Sequence, residues 1–397
     1  MSTTTLVRKA VNTRVSSIDV LRGLVMIIMA LDHTRDYLHI NAMFYNPVDL
    51  ETTTPFLFFT RFITHFCAPS FVFLSGISAY LSGQKKTRQE LSIFLLTRGF
   101  WLLFLELSVL NFAFWFDVTF SIIQLQVMWA IGISMLVLSS LIYLPKKVIL
   151  GIGLILVFGH NALDGITFPA GTLLDFIWSI LHQPKLIALT NSTKLIIMYP
   201  VLPWIGIMAL GYCVGELYRN SFDPEQRRRI LLKTGLLALG VFFLLRLVNI
   251  YGDSALWSVQ ATALFTIISF LNVTKYPPSL LYALMTLGVG LLILYAIDGK
   301  RSKWTNYLTT YGQVPLFYYV LHFFLIHLIS VASLLLAGNS WAQINFQNGT
   351  GGIMPNQGLP LFATYLIWLI VVLSFYPMCH WYYSFKSTKK SKIWSYL

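Results

Sequence analysis

Ten apolar runs, each of eighteen residues or more, succeed one another along this 397-residue chain. They are Ile18–Leu38, Phe56–Leu81, Leu91–Phe114, Phe120–Leu144, Val148–Phe168, Leu195–Leu217, Ile230–Ile250, Leu280–Ile297, Tyr307–Leu336 and Leu359–Tyr383. A helix needs roughly 20 apolar residues to cross the hydrocarbon of a bilayer. Only 11% of the residues are charged, against about 25% in soluble domains. So few charges cannot cover a soluble enzyme of this size, and the apolar content excludes disorder. The expected fold is all-α: one polytopic transmembrane helix bundle of about ten spans, a single domain over residues 1–397. Trp257–Leu271 and Leu173–Leu181 are shorter and amphipathic, and read as surface-lying or re-entrant pieces. The first run lacks a small-residue cleavage site, so it is expected to be a retained span.

The formal net charge is +13, which in isolation can signal nucleic acid. Its placement along the chain says otherwise. With the N-terminus inside, the inner segments hold twenty Lys and Arg, from Arg8, Lys9 and Arg14 to Lys386, Lys389, Lys390 and Lys392. The outer segments hold three: Lys185, Lys194 and Lys275. That asymmetry is the positive-inside pattern. It predicts both termini in the cytoplasm and accounts for the charge with membrane lipids and no nucleic acid as partners. An odd number of crossings between Ile230 and Asp298 spoils the pattern, so Trp257–Leu271 is expected not to span. Cys67, Cys213 and Cys379 lie far apart in apolar runs and offer neither a metal spacing nor a disulfide framework. No glycine-rich phosphate loop, zinc motif or nucleophile elbow is present, and no metal is expected.

Charges at bilayer depth cost at least about 2.5–3.5 kcal/mol each, so those present carry most of the functional information. The first run holds Arg22, then Asp32, His33, Arg35 and Asp36, with His39 just beyond. Arg22 and His33 are about three helical turns apart and share a face. Asp32, Arg35, Asp36 and His39 form a second stripe. On the second run Arg61 and His65 are one turn apart near mid-membrane. The third carries Arg98 and Glu106, the seventh Arg246, and the ninth His322 and His327 after Phe317-Tyr318-Tyr319. Glu106 or a helix 1 aspartate is expected to pair with Arg246. His160, His182 and His380 read as ordinary interfacial histidines. Asp32, His33, His65 and His322 converge on the middle-to-outer zone. A neutral imidazole there can accept a proton near pH 7, while Arg22 and Arg98, lower down, suit an anionic ligand such as a phosphate.

The run Ser17-Ile-Asp-Val-Leu-Arg-Gly-Leu-Val-Met-Ile-Ile-Met-Ala-Leu-Asp-His33-Thr-Arg-Asp-Tyr-Leu38 resembles the opening helix of bacterial proteins related to heparan-α-glucosaminide N-acetyltransferase. So does Thr64-His-Phe-Cys-Ala-Pro-Ser-Phe-Val-Phe-Leu-Ser-Gly76, supported by Lys275-Tyr-Pro-Pro-Ser279 and Tyr311-Gly-Gln-Val-Pro-Leu-Phe-Tyr-Tyr-Val-Leu-His322. The resemblance implies a membrane acetyltransferase of the bacterial inner membrane. Acetyl-CoA is then the cytoplasmic donor, and an amino sugar or other glycan is the acceptor on the outer side. A homodimer follows by analogy. In the lysosomal relative a histidine of the first lumenal loop is catalytic, helped by an asparagine at the outer end of helix 1. Here His39 lies nearest to that histidine, and His33 falls at the asparagine position.

The mechanism expected from these residues is direct transfer. His33 is the base, oriented by Asp32. His65, with Arg61, polarises the thioester or stabilises the oxyanion, and His322 closes the pocket. Arg22, Arg61 and Arg98 are the expected cofactor-contacting residues. An acetyl-histidine intermediate is the alternative within the enzyme class. The rival from another class is a proton-coupled transporter or flippase of a small or lipid-linked envelope precursor, because intramembrane Asp, His and Arg also mark proton relays.

Overall fold

The first apolar run folds as one uninterrupted helix, α1 (Ser16–Leu38). The computed structural model describes residues 16–388. Arg8, Lys9, Arg14, Lys389, Lys390 and Lys392, on which the expected placement of the termini rests, lie outside the described residues. After α1 come α2 (Pro55–Thr64), α3 (Cys67–Gly83), α4 (Arg88–Leu105), a π-helical turn (Glu106–Leu110) and α5 (Asn111–Trp115). Strand β1 (Ile122–Leu125) precedes α6 (Val127–Leu141) and α7 (Lys146–Gly159), which ends in a 3-10 turn, His160–Leu163. Then follow α8 (Leu173–Leu181), β2 (Lys185–Ala188), β3 (Lys194–Ile197), α9 (Leu202–Val214) with a 3-10 turn to Tyr218, and α10 (Pro224–Val248). The chain continues with α11 (Ala263–Leu271), α12 (Leu280–Ile297), α13 (Lys303–Gly312), α14 (Pro315–Leu336) and α15 (Leu361–Thr388).

The protein is mostly helical, and all ten predicted runs contain helix. Among the described residues seven helical segments are long and apolar enough to cross a membrane: Pro55–Gly83, Arg88–Trp115, Lys146–Leu163, Pro224–Val248, Leu280–Ile297, Pro315–Leu336 and Leu361–Thr388. Val127–Leu141 and Leu202–Tyr218 are apolar but shorter. α1 has the length, but Asp19, Arg22, Asp32, Arg35 and Asp36 lower its hydropathy.

Four of the predicted runs depart from single helices. Phe56–Leu81 divides at His65 and Phe66, because Pro69 has no N–H to give the His65 carbonyl. That carbonyl accepts the Tyr282 hydroxyl at 2.7 Å instead. Tyr307–Leu336 divides before Pro315, which opens α14. Leu195–Leu217 begins as strand, and so does Phe120–Leu144 after a short turn. Short apolar stretches rich in Ile have no periodicity that separates strand from helix. The expected all-α fold is corrected accordingly. A three-stranded sheet has the order β1-β3-β2, with β1 parallel and β2 antiparallel to β3. Leu125, Leu195 and Ile197 form its buried face, against Trp129, Phe176 and Ile180.

Loop contacts sort the two ends of the bundle. Ser17, Arg227 and Arg228 meet at Asp298, and Arg227 lies over the Tyr218 ring. Lys146 pairs with Glu216, and Arg88 donates to the Tyr143 carbonyl. At the other end His39 bridges to Leu359, Asn161 caps Leu280, and Asn272 donates to Val48.

The crossing of α1 and α13 depends on the absence of a side chain at two positions. A Cβ on Gly23 of α1 lies 1.8 Å from the Leu308 carbonyl oxygen of α13, and one on Gly312 lies 1.9 Å from the Asp19 oxygen. Small residues let helix backbones approach this closely. Gly23→Ala is therefore expected to cost about 3 kcal/mol, the upper end for overpacking, since a backbone carbonyl cannot rotate aside. Gly240→Ala, with nothing within 4 Å of its Cβ, is expected to stabilise α10 by up to about 1 kcal/mol. Thermal unfolding of the two variants in detergent checks both. Equal melting temperatures refute the crossing argument.

Candidate active site

Helix α1 carries two charge clusters, and these engage different neighbours. Near its start Arg22 donates to Asp19 (2.8 Å), to the Gly312 carbonyl (3.1 Å) and to Ser78 Oγ (2.9 Å). One guanidinium thus ties α1 to α13 and α3 beside the Gly23–Gly312 crossing. Arg22 and Arg98 line a common cavity of about 380 Å³. Its wall includes Ser75, Ser78 and Ser82, which share a face of α3, together with Trp101, Gln313 and Lys386. Its apolar wall comes from Met26, Phe71, Val127, Ile131 and Leu316, and Tyr319 of α14 also borders it.

Tyr319 also borders a second, water-sized space of about 10 Å³, with Glu106, Asn111, Gln124, Gln126 and Phe323. Glu106 opens the π-helical turn and accepts the backbone N–H of Gln126. Such bulges recur at functional sites because they turn a side chain out of helical register.

His33 adjoins this junction. Its ring centroid lies 4.0 Å from that of Phe323, 5.3 Å from His322 and 6.4 Å from Tyr319. His322 Nδ1 lies 2.8 Å from the Tyr318 carbonyl. That contact assigns the proton to Nδ1 and leaves Nε2 with its lone pair. His322 Nε2 and His33 Nδ1 are buried and have no hydrogen-bond partner among the described residues. A pair of imidazoles with lone pairs available, packed among aromatic rings, is suited to proton transfer.

The second cluster lies on another face of α1. Both Asp32 oxygens accept from Arg61, one at 2.7 Å. Asp32 also pairs with Arg35 at 2.9 Å and accepts from Thr64 Oγ1 at 2.8 Å. Arg35 pairs with Asp36 as well, and Arg61 reaches Tyr276 Oη at 3.5 Å. Lys275, from the Lys-Tyr-Pro-Pro-Ser stretch, is buried within electrostatic reach of Asp32.

Several expectations change with this geometry. Asp32 does not orient His33: its carboxylate is taken up by Arg61, Arg35 and Thr64, because successive helical side chains diverge by about 100°. Arg61 is held by Asp32 rather than acting with His65. His65 is buried against the Tyr282 ring, and its Nδ1 has no partner among the described residues. His39 is half-buried, its Nδ1 3.1 Å from the Leu359 carbonyl, where α1 meets the start of α15. Arg246 pairs with neither Glu106 nor a helix 1 aspartate. It donates to the carbonyls of Phe270, Ala255, Ser269 and Asn272 and so fastens α11 and its approach to α10.

His33 and His322 are brought together, as are Arg22 and Arg98. His65 and Arg61 share helix α2 and its end with the Asp32 cluster. Tyr319, Phe323, Ser78 and Thr64 were missed by the reading of charges alone, and Lys275 was counted only as an outer-segment charge. For Tyr319 a signal existed: it precedes His322 by three residues and so shares its face.

Tyr319 thus stands between the arginine cavity and the small space by Glu106, with the rings of His33 and His322 beside it. A search of curated proteins returned no match. The family model for the catalytic region of heparan-alpha-glucosaminide N-acetyltransferase matches residues 14–245, which include α1, both arginines of the cavity, the Asp32 cluster, His33 and His65. With more than half of the chain matched and the apolar helices in place, this protein belongs to the heparan-α-glucosaminide N-acetyltransferase family of membrane acyltransferases.

Proposed function

We propose that the protein transfers an acetyl group from acetyl-CoA, bound at the cytoplasmic end, to an amino sugar or related glycan acceptor reaching the bundle from the outer side. The observation that carries this reading is the cavity that begins among Arg22, Arg98 and Lys386 and ends at Tyr319, beside His33 and His322. Its volume is in the range of about 300–1,000 Å³ usual for small-molecule sites. It suits an apolar, flexible arm with phosphates at the basic mouth. The basic loop residues gathered at the same end, Arg88, Lys146, Arg227 and Arg228, support a cytoplasmic orientation. A bacterial inner membrane is the corresponding location.

In this mechanism Arg22 and Arg98 bind CoA phosphates by charge-assisted hydrogen bonds. Ser75 and Ser82 offer hydroxyls along the arm. His33 accepts a proton from the acceptor amine or hydroxyl as its nitrogen or oxygen bonds to the thioester carbonyl carbon. The carbon–sulfur bond then breaks, and the imidazolium returns the proton to the departing thiolate. His322 lies close enough to relay that proton. His65 lies at the end of α2 against Tyr282, on the side of the Asp32 cluster. The Asp32–Arg61–Arg35 cluster acts as a positioning element that fixes α1 against α2.

Calorimetric titration of the detergent-purified chain with acetyl-CoA tests the reading. Binding in the micromolar range is expected. Arg22→Ala and Arg98→Ala are each expected to weaken it about tenfold or more, the value of one lost charge-assisted bond of about 1.5–3 kcal/mol. Absence of binding by folded protein removes the donor and leaves the transporter reading in front.

A further inference from the structure

Outside the acetyl-transfer region, two histidines and an aspartate meet at the opposite end of the bundle. His160 caps α7 and begins the 3-10 turn, Asp164 follows that turn, and His182 caps α8. The imidazoles are 2% and 1% exposed, with ring centroids 5.6 Å apart. His182 Nε2 lies 2.9 Å from Asp164 Oδ1. Both ring nitrogens of His160 and Nδ1 of His182 have no hydrogen-bond partner among the described residues. Buried polar atoms are almost always satisfied, and three orphans in one place call for a ligand. One nitrogen from each ring and one carboxylate oxygen lie within 4.8 Å of one another.

We infer that His160, Asp164 and His182 form a binding site for a divalent transition cation of the zinc type. Two imidazoles and a carboxylate are a borderline-soft donor set that favours such an ion over magnesium or calcium, which take oxygen ligands. Donors around a tetrahedral ion at about 2.0–2.1 Å lie about 3.4 Å apart, so the three side chains close by roughly an ångström on binding. Asp164, half-buried at the edge, leaves the fourth position towards solvent. Asn161 supports the carboxylate: it donates to Asp164 Oδ2 at 2.9 Å, and its own oxygen accepts the Leu280 N–H at 2.8 Å. Asn161 thus orients the carboxylate and joins it to the start of α12. The cation thereby fastens α8 to the end of α7. α8 in turn covers the small sheet through Phe176 and Ile180, and its Ile180 carbonyl accepts the Val201 N–H ahead of α9. The site is independent of the acetyltransferase reading.

The test uses the full-length protein in detergent, stripped with a chelator and titrated with Zn²⁺, Co²⁺ or Mg²⁺. Expected are one equivalent of zinc retained per chain after gel filtration, a raised melting temperature with Zn²⁺ but not Mg²⁺, and visible absorption of tetrahedral Co²⁺. His160→Gln is expected to retain less than a tenth of an equivalent. Should that buried variant fail to fold, Asp164→Asn, at the edge of the site, is expected to bind zinc at least tenfold more weakly. No retained zinc in the wild type overturns the assignment. So does equal retention by wild type and variants, which identifies an adventitious ion only.

Discussion

Asp32→Ala is expected to lower the stability of the bundle by about 3–5 kcal/mol, the cost of removing one partner from a buried charge pair. The cost is high because Asp32 serves two cations: Arg61 through both oxygens, and Arg35 at 2.9 Å. The Arg35 side chain is 2% exposed and Arg61 12%, so neither guanidinium can recover its hydration without moving a helix. Asp36 still balances Arg35, whereas Arg61 keeps only the 3.5 Å contact to Tyr276. Asp32→Asn retains an acceptor for Thr64 and is expected to fall between wild type and alanine. Combining Asp32→Ala with Arg61→Ala removes the stranded charge as well, and is expected to be less destabilised than the sum of the single variants. Thermal unfolding in detergent, followed by monodisperse size exclusion, reads all four proteins. A wild-type melting temperature for Asp32→Ala means that the cluster is hydrated, and refutes its role in holding α1 to α2.

His33→Ala is expected to reduce acetyl transfer by about 10²–10⁴-fold, the usual contribution of a positioned general base, while leaving acetyl-CoA affinity near that of wild type. The separation of the two quantities is the informative part. Arg22 of α1 lines the cavity eleven residues before His33, with Arg98 of α4 on the same cavity wall, so removal of the imidazole leaves the donor contacts intact. The Asp32 cluster occupies another face and is also untouched. His322→Ala is expected to have a smaller effect if it only relays the proton. Turnover near wild type in a stably folded His33→Ala protein passes the role to His65 or His322. Loss of donor binding together with turnover shows instead that the ring shapes the cavity.

The Gly23 and Gly312 crossing gives a physical meaning to two motifs that the sequence presents 289 positions apart. Asp-x-x-Arg-Gly and Tyr-Gly-Gln read separately as fragments of a family pattern. In space they are one contact: the glycines allow α1 and α13 to touch, and Arg22 closes it by donating to the Gly312 carbonyl. Pro69 acts similarly at a distance. It frees the His65 carbonyl for Tyr282, and so joins α3 to the helix that follows Lys-Tyr-Pro-Pro-Ser.

The sequence by itself determined the membrane class, the largely helical character of the apolar runs and the residues that are expensive at depth. It also grouped Arg22 with Arg98, and Asp32, His33, His65 and His322 with one another, by their height along the helices; of the second group the structure brings His33 and His322 together. These are properties of local composition and of a fixed rise per residue, both of which are additive along the chain. Only the tertiary structure decided which side chain answers each charge. Asp32 turns to Arg61, Arg35 and Thr64 rather than to its neighbour His33, Arg246 finds four carbonyls rather than Glu106, and His160 meets Asp164 and His182 across a loop. The small sheet, the divided helices and the cavity at Tyr319 belong to the same category. Partners are set by how helix faces rotate and how closely backbones approach. Those depend on contacts between residues far apart in the chain, such as Gly23 against Leu308 and Tyr282 against His65, which no local count of hydropathy or spacing contains.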